Sequence, residues 1–249
     1  MGSVLSVEEL VKNYRLPNQE DGTIKVLKGL NFQIEENEFV GIMGKSGCGK
    51  TTLLKLLGLI DRPTGGNLYF KEKQVKELWP DELADIRRRE IGFVFQDFYL
   101  MDSLTVEENI MLPMILDKAE EEACFRCARE HAEHFQITHL LKKYPYELSG
   151  GERQRTAICR ALINQPDLIL ADEPTGNLDS KSGKIVIEAL NQIHEEYKKT
   201  IVMVTHDPQV ASNCSRIIFL KDGLILDVLE RMETQEIFYQ KILGRMADL

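Results

Sequence analysis

The segment GKSGCGKT, from Gly44 to Thr51, has the glycine spacing and the final Lys-Thr pair of a phosphate-binding loop. Its glycines allow a concave loop with N–H groups aimed inward, and the helix expected to follow adds the positive end of its dipole. The Lys50 ammonium would reach the β- and γ-phosphates of a nucleotide, and the Thr51 hydroxyl would ligate Mg²⁺. A glycine-rich turn without a ligand is the alternative. The residues predicted to bind nucleotide are Gly44, Lys45, Ser46, Gly47, Cys48, Gly49, Lys50, Thr51 and Thr52.

Two neighbouring carboxylates, Asp172 and Glu173, end the apolar run that begins at Leu168. A buried strand would place Asp172 at its tip, facing a metal ion. Glu173 would then lie on the other side of the turn, where it could polarise a water molecule in line with the γ-phosphate. An exposed acidic turn is the alternative for this pair taken alone. The phosphate-binding loop in the same chain favours the catalytic interpretation.

Short apolar strands alternating with helices must position these residues, and this order predicts a mainly parallel sheet in an α/β fold. The runs are rich in Ile, Val and Leu, which is typical of strands buried on both faces. The predicted strands span 38–43, 91–95, 168–171 and 201–205, and the predicted helix after the loop spans 50–59.

Three further stretches depart from this alternation. The first 40 residues and the stretch 217–226 predict antiparallel strands, the latter with a hairpin turn at Asp222-Gly223. The stretch 97–162 is helical in pattern, and within it 120–135 is charged and predicts a solvated helix.

Length and charge narrow the function classes. The chain has 249 residues, of which 43% are hydrophobic, enough for one large α/β domain or a core with a smaller lobe. A net charge of -9 disfavours a general nucleic-acid binder, which needs a basic surface. No apolar run approaches the roughly 20 residues that span a bilayer, so any membrane role is expected to go through a partner. The first nine residues do not predict a signal peptide.

The five cysteines are scattered along the chain, an odd number that predicts reduced thiols in the cytosol. Cys124 and Cys127 form a CxxC within a predicted helix and without a second pair. Two half-buried helix positions are the favoured interpretation, and a metal or redox site is the alternative.

The segment LSGGERQ, from Leu148 to Gln154, supplies a second expected helix start. Ser149, Gly150 and Gly151 would offer an anion a hydroxyl, N–H groups and the helix dipole. With this segment the chain resembles the ABC ATPase family, whose signature is LSGGE-x-Q. The resemblance implies that Ser149, Gly150, Gly151 and Glu152 of one copy meet the γ-phosphate held by another. It therefore implies a head-to-tail homodimer with two ATP sites.

Other positions match the family's pattern one by one. The resemblance implies that Tyr14 stacks on adenine and that Gln96 touches Mg²⁺ and senses the γ-phosphate. It also implies that the loop Gly176–Asp179 crosses the dimer interface and that His206 contacts the γ-phosphate. The implied catalytic residues are Glu173, His206, Lys50 and Gln96; the implied metal ligands are Thr51, Gln96 and Asp172; Asp179 joins the nucleotide-binding set.

The fold implied by the resemblance is a P-loop NTPase core of the RecA-like type with an N-terminal antiparallel β subdomain and an inserted α-helical subdomain. Within a single domain of residues 1–249, the core and β subdomain would comprise 1–96 and 163–249, and the helical subdomain 97–162. The family also implies ATP and Mg²⁺ as cofactors and a separate integral membrane permease as partner. The chain would then be cytoplasmic and peripheral on the inner face of the membrane, without a nucleic-acid partner.

Longer stretches are similar to the macrolide-export, lipoprotein-release and antimicrobial-peptide-resistance group of ABC proteins. They are Ile91–Phe98, Asp102–Asn109 and Asp172–Asp179. The tail Glu236–Leu243 is similar to the bacitracin- and lantibiotic-resistance branch; a helix that packs Phe238, Ile242 and Met246 onto the domain is the alternative.

Two other functions remain open at this point. ABC ATPases of DNA repair, chromosome organisation or translation usually carry a coiled-coil insertion, a zinc insertion or two ATPase domains, and this sequence has none of these features. A signalling or cell-division complex could use the same motor, and the ATPase sequence does not separate that role from export.

Overall fold

A computed structural model describes residues 2–15 and 22–249. The strands are β1 (Ser3–Arg15), β2 (Thr23–Glu35), β3 (Phe39–Met43), β4 (Gly65–Phe70), β5 (Lys73–Gln74), β6 (Ile91–Phe95), β7 (Leu168–Asp172), β8 (Thr200–Val204), β9 (Arg216–Lys221) and β10 (Leu224–Glu230). The helices are α1 (Lys50–Leu57), α2 (Pro80–Arg89), α3 (Val106–Leu116), α4 (Glu121–His134), α5 (Gly150–Leu162), α6 (Ser180–Glu196), α7 (Pro208–Ala211) and α8 (Gln235–Met246).

The chain divides into two compact units. The first comprises Met1–Leu83 and Thr200–Leu249, and the second comprises Ala84–Lys199. The helical subdomain expected at 97–162 lies within the second unit. Its bounds, and those of the core at 1–96 and 163–249, stay a prediction.

The first unit contains an antiparallel sheet in the order β2-β1-β4-β5. It also contains β3, which pairs in parallel with β8 on one side and β9 on the other. All five residues of β3 and all five of β8 are buried, which explains their continuous apolar sequence. The carboxyl ends of β3 and β8 therefore lie side by side, and the phosphate-binding loop and His206 follow these two ends.

The second unit pairs β6 with β7 in parallel and packs α5 against β6 and α3. In the register of this pair, Phe95 lies opposite Asp172. Thr105 caps α3 through a capping box with Glu108, and Asp179 caps α6 by accepting hydrogen bonds from the N–H groups of Lys181 and Ser182. These caps fix the first residues of α3, which follows the loop 97–105, and of α6, which follows the loop Gly176–Asp179.

Most of the expected elements are confirmed, with bounds that differ by a residue or two. The helix after the loop ends at Leu57 rather than Leu59, because Gly58 caps it and Leu59 turns to a positive φ of 57°. Asp222-Gly223 does form the turn between the antiparallel strands β9 and β10. Within the first 40 residues, the antiparallel pair β1–β2 is confirmed, while residues 1 and 16–21 lie outside the described part.

The region predicted as helical begins with a loop: residues 97–105 are irregular, and α3 starts only at Val106. Helix α4 exposes its charged face and buries Cys124, Ala128 and Ala132, as the solvated-helix interpretation expects. In α8, Phe238 and Ile242 are buried, whereas Met246 is half-buried.

No helix in the described ranges combines the length and the apolar character needed to cross a bilayer. Among the same residues, no three or more His, Cys, Asp or Glu side chains are grouped so as to hold a metal ion. Both cysteines of the CxxC lie in helix α4; Cys127 is half-buried as expected, whereas Cys124 is fully buried.

Candidate nucleotide-binding site

The phosphate-binding loop connects β3 to α1 in the first unit. The Lys50 ammonium donates hydrogen bonds to the carbonyls of Gly44 at 2.8 Å and Lys45 at 3.0 Å. The Cys48 N–H donates to the same Lys45 carbonyl at 3.2 Å. The loop therefore curls around a buried ammonium, which is the positive charge that a phosphate chain would meet.

The backbone path of the phosphate-binding loop requires glycine at two positions. Gly49 caps α1 with a φ of 108°, a conformation that side chains with a Cβ rarely adopt. A Cβ on Gly44 would lie 2.2 Å from the carbonyl oxygen of Leu220 on β9. Neither position tolerates a larger residue without moving the loop.

Cys48 is a packing residue of the loop. Its side chain is buried, and its sulfur lies 2.5 Å from where a Gly44 Cβ would stand. Burial raises the pKa of its thiol, so the residue remains a neutral thiol. It shapes the loop and adds no charge to it.

Tyr14 lies in a charged network at the end of β1. Its hydroxyl donates to Asp61 at 2.9 Å, and the buried Lys12 ammonium forms an ion pair with Asp61 at 2.6 Å while lying 4.9 Å from the Tyr14 ring centroid. Burial, and then Asp61, raise the pKa of Tyr14, while a hydrogen bond with Thr52 opposes them. The network fixes a half-exposed ring next to the start of α1.

The same network lowers the pKa of Asp61. Burial alone would raise it, but hydrogen bonds from Lys12 and Tyr14 outweigh burial and hold the pKa below its usual 3.8. Asp61 is therefore a carboxylate that orients Tyr14.

His206 follows β8 in the same unit. The neighbouring Thr205 N–H donates to the carbonyl of Ile42 on β3 at 3.2 Å, which fixes the chain just before the histidine. After it, Asp207 caps α7 by accepting from Gln209 and Val210. His206 is thus held between two anchored positions at the edge where the phosphate-binding loop starts.

The second unit brings Gln96, Asp172 and Glu173 together. Because Phe95 and Asp172 are register partners, Gln96 and Glu173 leave the sheet side by side. Glu173 has a φ of 47°, a left-handed conformation that costs a non-glycine residue about 1 kcal/mol. Such a turn lets Glu173 project differently from Asp172, while their roles as base and metal ligand stay predictions.

Asn177 ties the loop after these carboxylates to Gln96. The Gln96 amide donates to Asn177 Oδ1 at 3.2 Å, and the Asn177 amide donates to the Gln96 carbonyl at 3.2 Å and to Asp97 at 2.9 Å. A Cβ on Gly176 would lie 2.8 Å from Gln96 Nε2. The side chain of Gln96 is therefore packed between Gly176 and Asn177.

The signature segment begins α5 as predicted. Ser149 is the N-cap, and its hydroxyl accepts from the Glu152 N–H at 3.4 Å. The Glu152 carboxylate accepts from the N–H and the hydroxyl of Ser149, both at 2.7 Å. These hydrogen bonds hold the pKa of Glu152 below its usual range. The start of α5 is therefore held in place by hydrogen bonds between its own residues.

Two glycines of the signature lie against the loop Gly176–Asp179 and the start of α6. A Cβ on Gly150 would meet Leu178 at 3.0 Å, and one on Gly151 would meet Ser182 at 3.0 Å. Ser182 in turn donates to Asp179 at 2.7 Å. In one chain, the two segments expected at a dimer interface are thus packed together.

Sequence reasoning did not predict three residues that hold the candidate site residues Tyr14 and Gln96 in place: Lys12, Asp61 and Asn177. Lys12 shares a strand face with Tyr14, two residues away, and that spacing could have indicated it. Asn177 lies inside the loop Gly176–Asp179, which the sequence predicted for the dimer interface and not for a contact with Gln96. Asp61 is 47 residues from Tyr14, and no sequence signal joins them.

The residues predicted to hold Mg²⁺ are chemically suited to it. Thr51, Gln96 and Asp172 would offer hydroxyl, amide and carboxylate oxygens, the hard donors that Mg²⁺ prefers. Gln96 and Asp172 lie at adjacent strand ends in the second unit. Thr51 belongs to the first unit.

Comparison with protein families matches residues 27–176 to the ABC transporter family. The uncharacterized ABC transporter ATP-binding protein YvcR of Bacillus subtilis is 48% identical, over 99% of this chain and 95% of its own length. The bacitracin export ATP-binding protein BceA of Halalkalibacterium halodurans is 43% identical, over 97% of this chain and 94% of its own. The similarity to BceA confirms the predicted likeness to the resistance group.

Among solved structures, the ATP-binding cassette MJ0796, a dimer in a post-hydrolysis state bound to ADP and Pi, is similar. It is 40% identical, with a TM-score of 0.84, over 92% of this chain and 100% of that one. This likeness confirms the predicted fold class, an α/β core with an antiparallel β subdomain and helical parts.

Proposed function

The chain belongs to the ABC transporter family as an ATP-binding, ATP-hydrolysing subunit, and on this premise we propose that it drives a separate membrane permease through ATP-dependent closure of a head-to-tail homodimer. One observation carries the proposal. The chain has two helix starts suited to phosphate, α1 after the glycine loop and α5 after Ser149. A two-fold dimer gives each ATP one helix start of each kind.

In this proposal the residues of one chain bind and orient the triphosphate. Tyr14 stacks on adenine, the loop N–H groups and Lys50 hold the β- and γ-phosphates, and His206 contacts the γ-phosphate. Thr51, Gln96 and Asp172 would hold Mg²⁺, which would supply positive charge to neutralise the phosphates. Ser149 and Gly150 of the second copy close the site from the other side.

Glu173 acts as the general base. Its carboxylate accepts a proton from water as the water oxygen bonds to the γ-phosphorus and the bond to the bridging oxygen of ADP breaks. ADP and inorganic phosphate are the products. Closure is a population shift, because ATP binds the closed dimer better than the open one, and loss of the γ-phosphate contact allows reopening.

The loop and helix start between Phe98 and Glu108 would pass this motion to a cytoplasmic segment of the permease. The chain would then work in the cytoplasm, peripheral on the inner face of the membrane. The likeness to a bacitracin export protein supports a role in export or extraction of an antimicrobial peptide, lipoprotein or similar substrate.

Replacing the proposed base tests this function. Glu173→Gln keeps the size and hydrogen-bonding capacity of the side chain but removes the proton acceptor. We expect steady-state hydrolysis to fall at least about hundredfold. Binding of ATP should be retained, and size-exclusion chromatography should show an ATP-dependent dimer. Glu195→Gln, an exposed change on α6, is the control and should match the parent. Rapid steady hydrolysis by Glu173→Gln would rule out the assigned base.

A further inference from the structure

The loop after Gln96 holds an unusual backbone conformation. Phe98 and Tyr99 are consecutive non-glycine residues with positive φ angles of 62° and 47°. Such angles persist only where the surroundings hold them. The loop also presents apolar side chains, since Tyr99 is 63% and Met101 is 48% exposed. A loop of this kind needs an external anchor.

Arg160 on α5 supplies that anchor. Its Nη1 donates to the carbonyl of Tyr99 at 2.5 Å, and its Nη2 donates to the carbonyl of Phe98 at 2.7 Å. One guanidinium thus holds the two carbonyls of the strained pair. The planar fork of arginine suits two adjacent acceptors, whereas a lysine ammonium is a single point charge.

Arg160 and the signature residues belong to the same helix. Helix α5 begins at Gly150, with Ser149 as its cap, and Arg160 lies in its last turn. At a rise of 1.5 Å per residue, Gly150 and Arg160 lie about 15 Å apart along the helix axis. A displacement of Ser149 would therefore be transmitted to Arg160 along a continuous hydrogen-bonded helix.

The other end of the loop is fixed to a different helix. Asn109, fully buried on α3, accepts from the Met101 N–H at 2.8 Å. Its amide donates to the carbonyls of Met101 at 3.1 Å, Leu104 at 3.0 Å and Thr105 at 3.0 Å. The loop is therefore held between α5 and α3, so a shift of one helix against the other must deform it.

We propose that Arg160 is a positioning residue that links the nucleotide-facing start of α5 to the exposed loop Phe98–Met101. This inference rests on the proposed function, in which that loop contacts the permease. Arg160 acts through the loop carbonyls that it binds, so it is not a catalytic residue. It makes the conformation of the loop depend on the position of α5.

Hydrogen exchange in the full-length chain tests the link. All variants carry Glu173→Gln, and peptides covering 149–155 and 97–105 are followed by mass spectrometry with and without Mg-ATP. The second peptide contains the bonded N–H groups of Phe98, Tyr99, Met101 and Leu104. In the parent, ATP should slow exchange in 149–155 and change exchange in 97–105.

In Arg160→Met, we expect the 149–155 response to remain. Exchange in 97–105 should be about tenfold faster without nucleotide, because two charge-assisted hydrogen bonds are lost, and it should no longer respond to ATP. Arg160→Lys, which can hold one carbonyl, should restore part of the response. Arg126→Met on the exposed face of α4 is the matched control and should behave as the parent.

The outcomes separate the two proposals. If 97–105 in Arg160→Met exchanged and responded as in the parent, the link would be wrong while the proposed function stood. If the Arg160 variants sped exchange equally throughout α3, α4 and α5, a merely structural role would be shown and the link would be overturned. If 149–155 ignored ATP in the parent itself, the proposed function would fail, and the link with it.

Discussion

At the scale of single residues, the position of Tyr14, the residue proposed to stack on adenine, depends on charge more than the sequence suggests. Tyr14 is 39% exposed, yet its hydroxyl is held by Asp61 and its ring lies next to Lys12. Lys12 is buried, and a buried ammonium is stable only when it is paired, as it is with Asp61. The orientation of the ring thus follows from an ion pair formed by two other residues.

We predict that Tyr14→Ala weakens ATP binding about fivefold or more, because stacking of a base on an aromatic ring contributes about 1 kcal/mol or more. Tyr14→Phe keeps the ring but loses the hydroxyl that Asp61 holds, so it should bind ATP more weakly than the parent and more tightly than Tyr14→Ala. Titration calorimetry with ATP in the Glu173→Gln background measures both. Equal affinity of Tyr14→Ala and the parent would show that the ring does not stack on the base.

At the scale of elements, the sequence predicts those parts whose residues are close together in the chain. The phosphate-binding loop, the two carboxylates at the end of β7 and the capped start of α5 each lie within eight residues. Each was placed correctly on a strand end or helix start. The loop at 97–105 was missed, because its shape comes from Arg160 and Asn109 rather than from its own residues.

The tie between Gln96 and Asn177 was missed for the same reason. The two side chains are 81 residues apart in the chain, and their amides meet only because β6 and β7 are neighbours. Long-range pairing between polar side chains leaves no periodic signal in a single sequence. The motifs therefore identified candidate residues, and the fold was needed to show what holds them.

Asn109 offers a prediction at this scale. Asn109→Ala removes four hydrogen bonds from a fully buried side chain and leaves loop groups without partners. We expect the free energy of unfolding to fall by about 2 kcal/mol. Urea denaturation measures it, and Gln192→Ala, an exposed change on α6, should stay within about 0.5 kcal/mol of the parent. An Asn109→Ala chain as stable as the parent would mean that the loop is anchored by other contacts.

At the scale of the whole molecule, one chain carries two helix starts suited to phosphate. The glycine loop before α1 and the capped start of α5 belong to different units of the chain. The similar cassette MJ0796 is a dimer. In the proposed dimer, each ATP takes its loop from one copy and its signature segment from the other.

Mixing two inactive variants tests this claim most directly. Lys50→Ala removes the phosphate-binding ammonium, and Ser149→Arg places a bulky side chain at the start of α5; each variant alone should be folded but inactive. In a mixed dimer, the intact loop of one faces the intact signature segment of the other. We predict that an equal mixture hydrolyses ATP at about a quarter of the parental rate, since half the dimers are mixed and each has one whole site. A mixture that forms mixed dimers but stays as inactive as the separate variants would contradict a site shared between two copies.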